Sequence, residues 1–124
     1  MFLRAEARPP ARTDSQGGGA GPGTQVQFDR RELDRILSLY GRMVAAGEWR
    51  DYAIDFLKDR AVFSVFRRSS EMPLYRIEKH PRLRARQGQY AVVAAGNQVL
   101  KRGQELGQVL RVLERKLIKA LAAE

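Results

Sequence analysis

The 124-residue chain contains no cysteine. That excludes disulfides, thiolate metal sites and cysteine nucleophiles, and a small fold that does without disulfides fits a reducing compartment. Histidine is nearly missing too. His80 stands alone, so no metal site of paired histidines exists, and its place before Pro81 predicts a solvent-facing turn residue. The longest apolar run, Tyr90 to Ala95, is far short of the roughly twenty residues a spanning helix needs. Met1 to Ala11 holds Glu6, Pro9 and Pro10 and lacks an apolar core, so it does not read as a secretory signal. Gly17 to Gly23 follows no strand pattern and precedes no Lys-Ser or Lys-Thr, so it is not a phosphate loop. Together these predict a cytoplasmic protein with no membrane segment, no metal and no cofactor.

What the chain has in excess is positive charge. The net charge is +9, and between Arg60 and Arg102 ten basic residues face two acidic ones, Glu71 and Glu78. The surplus belongs to one region. It predicts attraction to polyanions, whether nucleic acid, an anionic lipid surface or an acidic protein, and charge alone does not choose among them.

Composition divides the chain in two. Residues 1–25, rich in glycine and proline, have little to bury and are expected to form a disordered arm. Residues 26–124 suffice for one core and predict a single α+β domain. Asp29 with Glu32 three residues on spells a capping box, Leu33, Ile36, Leu37, Tyr40 and Val44 form a helical stripe, and Gly47 is a stop. Period-two alternation then predicts strands around Tyr52–Phe56, Ala61–Arg68, Leu74–His80, Gln89–Ala95 and Gln98–Arg102, with Gly96-Asn97 as a two-residue hairpin turn. Leu106, Val109, Leu110, Leu113, Leu117 and Leu121 stripe a final helix. The fold class is therefore an antiparallel sheet of four to five strands flanked by an N-terminal and a C-terminal helix.

The spacing of Arg82, Arg84 and Arg86 is the most suggestive in the chain. In extended backbone it sets three guanidiniums in a row about 6.6 Å apart, suited to successive phosphates or, alternatively, to blunting a sheet edge. With Arg67, Arg68, Arg76 and Lys101 these make the candidate nucleic-acid-binding set, and Tyr90, Phe63 and Phe66 are candidate stacking surfaces beside it. No catalytic residues are assigned. Asp51, Asp55 and Asp59 share a strand face but lie too far apart to act as a pair, and a hydrolase requires Asp55, Glu78 and His80 to converge from neighbouring strands. The leading expectation is a non-enzymatic module binding single-stranded DNA or RNA. The alternative is an interaction or structural module, homodimeric through the last helix, where Val112 and Ile118 widen the apolar surface, with an acidic protein as a further partner. Trp49 is expected to plug the corner between the first helix and the first strand.

The stretches FDRRELDRILSLYGRMVAAGEWRDYAIDF (Phe28 to Phe56), AVFSVFRR (Ala61 to Arg68), PLYRIEKHPRLRARQGQYAV (Pro73 to Val92) and LKRG (Leu100 to Gly103) resemble a family of small alphaproteobacterial proteins classified as a domain of unknown function, DUF2794. The resemblance covers about Val26 to Ala120. It implies a bacterial cytoplasmic setting and carries over no activity, cofactor or site residue.

Overall fold

A computed structural model describes residues 25–68 and 72–123. The expected arm lies, but for Gln25, outside the described residues, as do Ser69, Ser70 and Glu71 of one expected turn. Helix α1 spans Arg30–Ala45 and begins where the capping box puts it: the Glu32 amide donates to Asp29 Oδ1 and the Asp29 amide to Glu32 Oε1, each at 2.8 Å. Its end is a paired closure on a left-handed residue. Gly47 has φ +80°, its amide donates to the Val44 carbonyl, and the Glu48 amide donates to the Met43 carbonyl. The buried stripe is Ile36, Leu39 and Met43, while Leu33, Leu37, Tyr40 and Val44 flank it half-buried. The expected stripe was thus one edge of the true one, because the helix is covered from two directions, by the sheet and by a second helix.

Strands β1 (Asp51–Phe56), β2 (Ala61–Phe66), β3 (Tyr75–Lys79), β4 (Tyr90–Ala94) and β5 (Gln98–Gly103) pair in chain order, antiparallel throughout. The β4–β5 turn takes three residues, Ala95 to Asn97, with Gly96 and Asn97 both at positive φ. Between Val92 and Val93 the register shifts, leaving Leu100 as the extra residue of a bulge that bends the β5 edge. Helix α2 (Leu106–Ala122) returns over β4 and β5. Both helices share one core with a single face of the sheet: Ile36, Leu39 and Met43 meet Phe63, Val65, Ile77 and Val92 and the α2 stripe. Trp49 is 2 % exposed beside Tyr40 and Tyr75, closing the corner after α1. Strand β2 is buried on both sides; the other face of the sheet includes Ala53, Val62, Phe66, Ala91 and Val93, all buried. No described helix is long and apolar enough to cross a membrane.

Candidate nucleic-acid interface

The two helices run parallel. Arg35 of α1 lies against Gly107 of α2, and seven residues later on each helix Arg42 meets Glu114 at 3.4 Å. Both helices therefore start at the same end of the sheet, where β3 ends, β4 begins and β5 ends. A buried polar staple fastens that end. Lys79 Nζ donates to Glu32 Oε1 at 2.8 Å and to the Gln27 carbonyl at 2.9 Å, and the Tyr90 hydroxyl donates to Glu32 Oε2. Burial and then the Glu32 carboxylate push the Tyr90 phenol well above its usual range, with nearby Arg84 acting against them. Lys79, one of the ten basic residues between Arg60 and Arg102, is a nearly enclosed internal tie.

At this end the chain from Pro81 to Gly88 joins β3 to β4. It is not extended. Pro81–Leu83 form a 3-10 turn, and the Leu83 carbonyl accepts from the amides of Arg86, Gln87 and Gly88. The expected straight row of Arg82, Arg84 and Arg86 is accordingly replaced by a helical arrangement, in which residues two apart point to different sides. Proline supplies the reason: it locks φ in the helical range and has no N–H to offer a strand. All three arginines are exposed and none has a carboxylate partner among the described residues. Their loop is anchored. Gly88, at φ +105°, approaches Gly103 so closely that a Cβ there would stand 2.6 Å from its carbonyl carbon, and Gln104 Nε2 donates to the Arg84 carbonyl.

The other four cations lie elsewhere. Arg67 and Arg68 follow β2 at the opposite end of the sheet, about 17 Å away along a six-residue strand. Arg67 pairs with Glu48 at 3.4 Å, an exposed contact of small energy, and Arg68 has partners of its own. Lys101 is exposed on the β5 edge. Arg76 is tied down: its Nε donates to Glu78 Oε2 at 2.8 Å and its Nη2 to Asn97 Oδ1 at 2.7 Å. The structure thus brings together Arg82, Arg84 and Arg86 and separates them from Arg67, Arg68 and Arg76. The candidate stacking surfaces are withdrawn as well, since Tyr90, Phe63 and Phe66 are 7 %, 0 % and 6 % exposed.

His80 is also placed differently from its expected solvent-facing turn. It is mostly buried, with Nε2 2.7 Å from Glu78 Oε1. Burial pushes the Glu78 carboxyl up, but hydrogen bonds and charge from Arg76 and His80 outweigh that and hold it below its ordinary value of 4.5. Asp55 sits in the same cross-strand row, with Val62 between it and Glu78. A folded-state value below the unfolded one means stability present above about pH 4.5 and lost as acid protonates the folded carboxylate. Glu78→Gln should flatten this acid limb. Denaturant midpoints at about pH 6 and about pH 3.5 check it; a variant whose midpoint falls between these as steeply as the wild type's would refute Glu78 as the group responsible.

Sequence reasoning missed one cationic feature. Arg31, Arg35 and Arg42 line a groove of about 420 Å³ between α1 and α2 with Asp34, Ser38 and Glu114. The legible signal was the spacing of Arg31, Arg35, Ser38 and Arg42, which sets them in one line on a helix. Of the widened α2 surface, Val112 packs against the core, whereas Ile118 and Leu121 are 64 % and 56 % exposed.

No curated protein and no solved structure matches the chain. A family model matches residues 26–110, from just before α1 into the second turn of α2 and including the arginine loop. The chain belongs to that family, described as a protein of unknown function, DUF2794.

Proposed function

We propose that this protein is a binding module for nucleic acid, held through its phosphates at the end of the sheet where both helices begin. The observation that carries this reading is the loop of Arg82, Arg84 and Arg86: three exposed guanidiniums, unpaired among the described residues, on backbone anchored by Gly88 and Gln104. An anchored loop has little ordering entropy left to lose on binding, and guanidinium forks suit phosphate oxygens. The loop is a compact turn, not a helix or ribbon able to enter a major groove, which favours a single strand of DNA or RNA over base reading in a duplex. The module is non-enzymatic in this reading: Glu32 is engaged by Lys79 and Tyr90 between helix and sheet, and Glu78 is engaged by Arg76 and His80 along its own strand.

Replacing Arg82, Arg84 and Arg86 together by Gln should lower the log-log salt slope of oligonucleotide binding by about 2, at roughly 0.7 per phosphate contact on a single strand. Fluorescence anisotropy across a salt series, with single-stranded and duplex probes, measures it. An unchanged slope removes the loop as the contact, and equal competition by polyglutamate would transfer the surface to an acidic protein partner. Pairing of two copies through α2 is the lesser reading. It rests on Ile118 and Leu121, two side chains that fall short of the roughly 800 Å² per partner of a standard interface.

A further inference from the structure

The geometry points to the groove between α1 and α2 as the continuation of this phosphate-binding surface, so that a bound strand runs from the arginine loop along the line of Arg31, Arg35, Ser38 and Arg42. The inference rests on the nucleic-acid reading and extends it. The line begins in the first turns of α1, at the end of the sheet that also carries the loop, and rises about 16 Å along the helix over eleven residues. Every group on it can donate a hydrogen bond to a phosphate oxygen, three of them as cations. The groove is open and polar, a form suited to a chain passing through and not to a small molecule enclosed on all sides.

Two features of the groove favour a bound polyanion over a merely solvated face. Arg31 and Arg35 stand four apart on one helix, where like charges repel, and neither has an acidic partner among the described residues. Arg35 moreover reaches across to α2 and rests on Gly107, where a Cβ would come within 2.6 Å of its Nη2. The absence of a side chain at Gly107 is what leaves that guanidinium room in the groove. Among the described residues Arg42 alone of the three is paired, with Glu114 at 3.4 Å, and both partners are exposed enough for a phosphate to displace the carboxylate. A polyanion laid along the line relieves the repulsion between Arg31 and Arg35.

The test uses the full chain and two single-stranded probes, one of about four nucleotides, too short to leave the loop, and one of about twelve. Arg31→Gln with Arg35→Gln should lower the salt slope for the longer probe by about 1.4 and leave the shorter one unchanged. Both positions are exposed and Gln is nearly as good a helix former as Arg, so the fold should persist. Asp34→Asn, which removes from the groove an acid with no ion-pair partner among the described residues, should tighten the longer probe about two- to threefold. If the groove variants leave the longer probe unaffected while the loop variant still lowers its slope, the groove is not part of the surface and the loop reading stands. If the loop variant changes nothing either, both fall together.

Discussion

Glu32→Ala is expected to be among the most damaging substitutions in the chain, costing about 3–5 kcal/mol. The change strips three donors of their acceptor at once: the Asp29 amide that starts α1, the Tyr90 hydroxyl, and the Lys79 ammonium. The ammonium matters most, because it sits at 15 % side-chain exposure and retains only the Gln27 carbonyl. An uncompensated buried charge costs far more than the pair contributes when intact. Glu32→Met with Lys79→Met should therefore recover much of the loss, since neither charge is then stranded. At about 4–8 °C per kcal/mol for a domain of this size, the single variant should melt more than 10 °C below the wild type. A loss under about 1 kcal/mol in thermal and denaturant unfolding would mean the staple is not formed.

Gly88→Ala should be nearly as costly, at about 3 kcal/mol or more, for a different reason. The added Cβ meets backbone, with the carbonyl carbon, Cα and carbonyl oxygen of Gly103 all within 2.8 Å, so no rotamer change relieves it. The φ of +105° penalises any side chain before the clash is counted. Gly103→Ala is the informative control. Its Cβ would meet only a Val109 methyl at 3.4 Å, so it should cost less than about 1 kcal/mol. The asymmetry tests which side of the contact needs glycine, and equal melting temperatures for the two variants would contradict the close approach. Because Gly88 holds the arginine loop against the end of β5, its replacement should also weaken oligonucleotide binding beyond what lost stability explains.

The elements most legible in the chain were those whose signals are local. The Asp29–Glu32 box, the Gly47 stop and the strand alternation each involve residues within a few positions of one another, and each is realised as read. The arginine loop misled because a period of two is shared by strands and by any chance spacing, and Pro81 decided for the helical turn. His80 and Lys79 misled for the opposite reason. Their types say surface, yet the pleat places His80 beside Glu78 two residues away, and a helix 47 positions earlier brings Glu32 onto Lys79. The groove was hidden because its α2 side, with Gly107 and Glu114, lies more than seventy residues beyond the arginines it faces.

The sequence by itself determined the order and kind of the elements, the absence of thiol chemistry and the excess of positive charge, because periodicity, capping and composition are set by near neighbours. Only the tertiary structure decided which cations remain available to a ligand. Availability depends on whether a distant carboxylate is brought within hydrogen-bonding reach, and that is a consequence of how the helices lie on the sheet.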